Sequence, residues 1–575
     1  MSNGLEMQDV NNKKNIIQKL LTGYKLEWLV LGLYVILYIV VTRFHEPWFD
    51  EAQAWQIARC ASVKDILFTI PHYEGHPALW NFLLVIPAKL GLPYEISLKT
   101  IGGLIGVAST TLFLFKAPFK RWFKLLFPFT FFAFYQYGII VRPYGLMFLL
   151  IVLLAITFNM RNEKPWIFVG LLIVLCLCSA YGILISGGIA IAWVIDILKE
   201  KKFSETLKSL FTTKRMWSLW VLLGAALIIC YQILPREDTL ATNFIKRNSF
   251  GERLICALFA FLPDVFFTEN KWSINDELLI DIEFNVGNLL LFALFGLLIW
   301  LVIWLLSTKR TFKYFAIPYV LFAVFSASVY FSSHHIGLIS FLLVFWGWIT
   351  CTENGRVLNL QMLIDKFTNK ATGKKLLSEA NVKLAKVFVG FIEVIAVLLS
   401  IYWSISSSVL DAKIEFSFGR EAAAFIKEHS MEDLLIISEW GYNQKDYNDF
   451  GNEYVNDVYY MHIPVNIYPY FDKEIVANME EGYVTHIYTT EEVCNEKVEE
   501  WSKLPYPDVL LGYVDLNALY DGEISRTDYS PVFKLETNII WRGTDYKGYN
   551  YIYVRNDLLE QHGLTSLYDG ITVAD

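Results

Sequence analysis

Apolar runs of about twenty residues recur along this chain, separated by short loops, and a hydrocarbon core of about 30 Å is spanned by a helix of that length. Eleven runs meet the requirement, near 26–43, 97–115, 125–141, 144–160, 166–182, 183–198, 216–234, 286–306, 314–331, 336–351 and 387–409. A water-soluble chain cannot cover so much apolar surface: 55% of the 575 residues are hydrophobic, 18% are charged, and mean hydropathy is +0.39. The fold class predicted is therefore a polytopic α-helical membrane protein of about eleven transmembrane helices. The first run has no small-residue cleavage site behind it, so it reads as a retained helix.

Sidedness follows from the basic residues, because cytoplasmic loops collect Lys and Arg near span ends. Lys13, Lys14 and Lys19 precede the first span; later clusters are Lys116 to Lys124, Arg161 with Lys164, Lys199 to Arg215, Lys309 to Lys313 and Arg356 to Lys386. All fall on one side of the predicted membrane. The N-terminus is thus expected in the cytoplasm, and the loops 44–96 and 235–285, the Arg142-Pro143 turn, the 332–335 turn and everything after Asp411 are expected outside. Two apolar stretches in the outer loops are too short to cross. Ala78 to Leu92 reads as an interfacial helix, and Leu254 to Pro263 as a half-span that dips into the membrane or covers a cavity.

Residues 1–410 therefore form the multi-span unit, and 411–575 a separate outer unit in which composition turns polar. The runs LLIIS, YVTHIYTT, VLLGYV and YNYIYVR alternate there with the helical stretches GREAAAFIKEH and EEVCNEKVEEW, the pattern of a small α/β domain. It carries no glycine-rich phosphate loop, and a docking or acceptor-binding role is expected of it. A net charge of −8 with no basic stripe excludes nucleic acid as a partner. Seven scattered cysteines, mostly inside apolar runs, supply neither a disulfide framework nor CxxC pairs.

The candidate chemistry lies in the first outer loop. HEPWFDEAQAW places Asp50 and Glu51 a few residues beyond a membrane boundary, where charge is costly and marks function by default. An Asp in a partly desolvated pocket becomes a stronger base; the same Asp50 with Gln53 three residues on also matches a helix cap and its capping-box partner. The loop closes with HYEGHPALW, grouping His72, Glu74 and His76. Gly75 and Pro77 make this a turn, open to substrate contact, to interfacial packing, or to a divalent ion bridged with Glu51. Arg142 stands at an outer span end against the charge bias, suited to bidentate phosphate binding, and Pro143 can open the next helix with its free N–H groups toward an anion. Snorkelling is the alternative for Arg142. His334 and His335 begin another span from the same side; about 100° apart on a helix, at most one should face a shared cavity. Arg236, Lys246, Arg247 and Arg253 offer weaker anion contacts in the long outer loop.

WFDEA after the first span, EGHPALW closing the loop and RPY two spans later together resemble the membrane-embedded GT-C glycosyltransferases. The nearest relatives in that class are the family 39 group of protein O-mannosyltransferases and lipid A aminoarabinose transferases. The resemblance is best over the first ~160 residues; the HYEGHP and SSHHIG turns, and the lack of repeat-domain features, point to a bacterial subgroup. It implies an integral enzyme of the cell membrane that moves a sugar from a polyprenyl-phosphate donor to a lipid, glycan or protein acceptor on the outer face. The first-loop acids Asp50 and Glu51 would be catalytic, Arg142, Tyr144, His334 and His335 would hold the donor phosphate, and His72, Glu74 and His76 would contact substrate. The alternatives are a transporter or flippase of lipid-linked saccharides, expected to break helices at midplane in corresponding halves, and a non-catalytic membrane protein whose outer domain binds a partner.

Overall fold

The computed structural model describes residues 23–199, 212–237, 249–267, 286–364, 379–440, 444–447, 453–456, 462–479 and 491–567. Lys13, Lys14, Lys19, Lys246, Arg247 and the YVTHIYTT run lie outside them. The protein is a polytopic α-helical membrane protein with a small α/β unit at its C-terminal end. Seven described helices are long and apolar enough to cross a membrane: Lys25–Phe44, Tyr94–Lys116, Pro143–Met160, Ala180–Lys199, Lys214–Gln232, Ser333–Asn354 and Asn381–Asp411. Large apolar side chains on several of these stand exposed, among them Leu29, Ile36, Ile228, Val387 and Phe388, a surface suited to hydrocarbon and unsuited to water.

Eight helices frame the site. In chain order they begin with α1, Lys25–Phe44, α2, Phe49–Cys60, α3, Leu79–Lys89, α4, Tyr94–Lys116, and α5, Pro143–Thr157. The other three are α6, Ile336–Asn354, α7, Glu379–Asp411, and α8, Gly419–Glu428. Of the other four predicted spans, 286–306 is helical throughout as Val286–Leu306, and three are shorter or broken. Lys313–Ser328 is apolar but below full spanning length, as is Pro165–Cys176, where 166–182 was expected.

The largest departure is at 125–141, expected as one helix. A short helix Arg121–Leu126 passes into a 3₁₀ turn at Phe127–Phe129, and the chain resumes as a π-helix, Phe131–Ile139. Pro128 has no N–H to donate, and the Thr130 hydroxyl donates to Phe127 O at 2.7 Å, so the α ladder ends there. Ile140 to Arg142 is then extended, and Pro143 at the first position of α5 restarts a helix. Non-helical backbone is tolerated at such depth only when enclosed by protein, and Ile139, Ile140 and Val141 are buried. Gly145 permits the tight return, since a Cβ there would stand 2.6 Å from Tyr137 O.

The two apolar stretches too short to cross are both helical. Leu79–Lys89 is helical, with Leu83 and Ile86 exposed and Trp80, Leu84 and Ala88 buried. The half-span runs as a helix from Phe250 to Phe267 with a π step at Cys256–Ala260, and Trp300 Nε1 donates to Leu258 O at 2.9 Å.

In the C-terminal unit the strands are β1 Ile436–Ser438, β2 Gln444–Tyr447, β3 Glu453–Asn456, β4 Val509–Leu511, β5 Tyr529–Trp541 and β6 Thr544–Arg555. The main sheet has the order β1-β4-β6-β5, with β1 and β4 parallel and the other pairs antiparallel. Ala422, Ala423 and Ile426 of α8 pack in one core with Ile436, Val509 and Ile552. The β5–β6 hairpin turns through Arg542 and Gly543, both at positive φ (50° and 85°), the two-residue turn that matches strand twist. Its tip enters the helical bundle: Trp541 packs edge-on against Phe131, Gly543 N donates to Ser407 Oγ of α7, and Arg542 pairs with buried Asp264 at 3.2 Å.

Candidate active site

The first turn of α2 and the extended Val141–Arg142 segment meet at one end of the bundle. Trp48 is the N-cap of α2, so Asp50 is the second helical residue and Glu51 the third. This reverses the expected capping: Glu51, not Asp50 with Gln53, closes the turn, its Oε2 accepting from Trp48 N at 2.8 Å. Asp50 is thereby left to point outward. Its carboxylate forms an ion pair with Arg142, with side-chain exposures of 28% for Asp50 and 11% for Arg142.

Glu51 is fully enclosed, at 0% exposure. Besides Trp48 N, it accepts from Val141 N at 2.7 Å through Oε1 and contacts His45 Nε2 at 3.3 Å. The other ring nitrogen of His45 lies 2.9 Å from Asp411 Oδ2, which also accepts from the Tyr135 hydroxyl at 3.1 Å. Burial by itself would strip His45 of its second proton; Asp411 first and Glu51 next reverse that and hold its pKa up at about 10. His45 and Asp411 went unsingled in the sequence. Signals existed: His45 opens the same HEPWFDE string, and Asp411 is an acid ending an apolar span.

Arg142 is the N-cap of α5 in extended conformation, with its guanidinium 5.8 Å from the Tyr144 ring. Tyr144 Oη contacts His335 Nε2 at 2.8 Å, while His335 Nδ1 accepts from Ser332 N at 3.0 Å. Because Nδ1 is an acceptor, the ring carries its hydrogen on Nε2 and donates to Tyr144. His334 also reaches the Tyr144 ring, its centroid 5.7 Å away against 5.5 Å for His335. Both histidines therefore flank the same side chain, contrary to the one-of-two expectation, because they sit in the 3₁₀ turn Ser333–His335 ahead of α6. The Tyr137 hydroxyl donates to His334 O, and Trp48 packs edge-on to His334 at 6.3 Å, closing the wall between α2 and α6.

The HYEGHP turn is divided. His72 Nδ1 contacts Leu234 O at 2.5 Å and its ring meets Tyr231, which directs it to the end of the Lys214–Gln232 helix. Glu74 accepts from Gln53 Nε2 at 3.0 Å, one helical turn from Asp50, and burial raises its pKa to about 7. His76 lies close enough to His334 and His335 to interact electrostatically with both; burial lowers its pKa to about 4, leaving it neutral near pH 7. In the long loop, Arg236 stacks 5.8 Å over the Tyr73 ring.

Among the described residues, the acids close enough to share an ion are Glu46, Glu415 and Glu421, with one oxygen from each within 4.8 Å of the others. Glu46 also accepts from Arg420 N at 2.7 Å. The site can thus offer a partly exposed carboxylate next to a guanidinium, a tyrosine hydroxyl and three imidazoles, which is the equipment for moving a proton beside a bound anion.

No protein-family model matches the chain, and no curated protein matches it. Among solved structures it is similar to ArnT from Cupriavidus metallidurans bound to undecaprenyl phosphate, at 12% identity and a TM-score of 0.45, over 92% of this chain and 98% of that one.

Proposed function

We propose that the protein is a membrane glycosyltransferase of the GT-C type, moving a sugar from a polyprenyl-phosphate donor to an acceptor on the outer face of the membrane with inversion. The observation that carries this reading is the pairing of Asp50 with Arg142, a base and an anion-binding group brought together from two segments. The sequence resemblance in WFDEA, EGHPALW and RPY supports it.

Without donor, Arg142 occupies the Asp50 carboxylate. A lipid phosphate would compete for the guanidinium, which binds phosphate oxygens in a planar fork, and so release Asp50. Asp50 then takes the proton from the acceptor hydroxyl or amine as that atom bonds to the anomeric carbon. The bond from that carbon to the phosphate oxygen breaks, and the oxygen leaves with its electron pair. Arg142 and the Tyr144 hydroxyl stand where that negative charge grows. The acceptor attacks from the face opposite the phosphate, which gives inversion. Donor activation is already present in the phosphate ester, consistent with a chain lacking a glycine-rich nucleotide loop.

The Glu46, Glu415 and Glu421 group has the oxygen donors a hard divalent cation prefers and lies on the α8 side. Basic-loop sidedness supports a cytoplasmic N-terminus and an outer α/β unit. An apolar cavity of about 420 Å³, lined by Phe132, Val265, Ile303, Trp346 and Val397, offers hydrocarbon-compatible space within the bundle.

The test is turnover of a panel of radiolabelled polyprenyl-phosphate sugars by the purified protein, comparing wild type with Asp50→Asn at equal thermal stability. Release of polyprenyl phosphate by wild type and its loss in Asp50→Asn is the expected result; no turnover of any donor overturns the reading. A chelator arm reports on metal. The broken helix at 127–141 also suits a flippase, which would move the lipid-linked sugar between leaflets without cleaving it.

A further inference from the structure

Two adjacent pairs join α2 to the segment before α5. Asp50 faces Arg142, and one residue along on each side Glu51 faces Val141 N. Glu51 cannot also be a proton acceptor in the reaction. Its Oε1 is held by Val141 N, its Oε2 by Trp48 N and His45, and the residue is fully enclosed.

Behind Glu51 the chain of contacts continues. His45 follows the last residue of α1, and Asp411 is the last residue of α7. Each ring nitrogen of His45 faces a carboxylate oxygen, at 3.3 Å and 2.9 Å. A neutral imidazole could donate through one nitrogen only, so this arrangement calls for imidazolium. Asp411 additionally holds Tyr135 of the π-helix. The π-helix and its extended exit are therefore gripped twice, at Tyr135 through Asp411 and at Val141 through Glu51. A stretch that has given up its α ladder needs such outside partners to keep one geometry.

We propose that Glu51, His45 and Asp411 are positioning residues, a buried carboxylate–imidazolium–carboxylate chain that holds the Val141–Arg142 backbone against α2 and so sets where Arg142 stands relative to Asp50. The consequence for rate rests on the glycosyl-transfer reading; the consequence for geometry does not.

Asp411→Asn tests this with a variant that keeps shape and removes charge two contacts away from Glu51, the neighbour of Asp50. In purified full-length protein, kcat falls of order tenfold to a hundredfold, as small misplacements of reacting groups do, and KM for the lipid-linked donor rises by a smaller factor, because Arg142 also holds the donor phosphate. The acidic limb of the pH–rate profile stays, since Asp50 remains. A cryo-EM structure of Asp411→Asn shows Asp50 and Arg142 parted beyond about 4 Å, the reach of an ion pair. Tyr135→Phe, which deletes one hydroxyl, gives a smaller fall in kcat with the same KM behaviour and serves if Asp411→Asn fails to fold. A kcat within about twofold of wild type in both variants, or an unparted Asp50–Arg142 pair, overturns the proposal. If wild type turns over no donor, the glycosyl-transfer reading fails, and the Asp50–Arg142 separation alone decides the positioning role.

Discussion

Glu51 Oε1 accepts the Val141 N–H at 2.7 Å, one residue along from both members of the Asp50–Arg142 pair. Two neighbouring carboxylates thus perform unlike tasks: Glu51 is sealed into the backbone, and Asp50 remains accessible beside a cation. The difference comes from helix geometry, because the third helical position can reach back to the cap N–H and the second cannot.

Asp50→Asn should lower turnover by about 10²–10⁴-fold, the usual worth of a general base, with little change in melting temperature because Asp50 makes no cap bond. Arg142→Ala should lower it by about 10²–10³-fold through loss of leaving-group stabilisation. Steady-state kinetics and thermal melts on the same preparations check both.

Glu51→Leu should destabilise the protein by about 3–5 kcal/mol, because it strands one side of a buried charge pair and two backbone N–H groups. Its melting temperature should fall well below that of Asp50→Asn. Equal melting temperatures for the two would contradict the assigned division of labour.

The pH dependence of stability should carry the signature of His45. Its folded pKa, about 10, lies above the ordinary 6.5, so the folded state holds a proton that the unfolded chain releases. The stabilisation is complete below about pH 6.5 and is lost as pH rises toward and through 10. Melting temperatures measured from pH 6 to 10 should decline, and the decline should be shallower in His45→Gln.

Glu74 should act over a lower window. With its pKa raised to about 7 from 4.5, the folded state keeps the proton longer, so stability falls between about pH 4.5 and 7. Glu74→Gln should remove that slope and match wild type only near pH 4, as read by melts across the window.

Arg542→Ala should cost about 3–5 kcal/mol by leaving Asp264 buried without its guanidinium, and should expose the β5–β6 turn to limited proteolysis. Replacing both partners by leucine should recover much of the loss, since an apolar pair has no charge to desolvate.

Much of the architecture was legible in the chain. Apolar length alone marked the spanning helices, because a hydrocarbon core admits few other solutions. Pro143 marked the start of α5 through its fixed φ and missing donor. The break at 127–141 was not legible: FFAFYQYGI has the apolar content of a span, and its departure from the α ladder appears only where it packs between α1, α4 and α7. At the site, residue type and sidedness singled out Asp50, Arg142, His334 and His335, and the resemblance carried by RPY added Tyr144. His72 looked equivalent to His76 in sequence, yet Leu234, 162 positions away, claims it.

The amino-acid sequence by itself determined that this chain lives in a membrane, where most of its spanning helices lie, and which polar groups stand at the ends of the spans. Period, length and charge are local properties, and a bilayer reads them locally. Only the tertiary structure decided which of two adjacent acids faces Arg142 and which is buried, and that His45 and Asp411, 366 residues apart, share a proton-bearing contact. Those assignments depend on which distant donor reaches each carboxylate, a distance of a few ångströms that no spacing along the chain encodes.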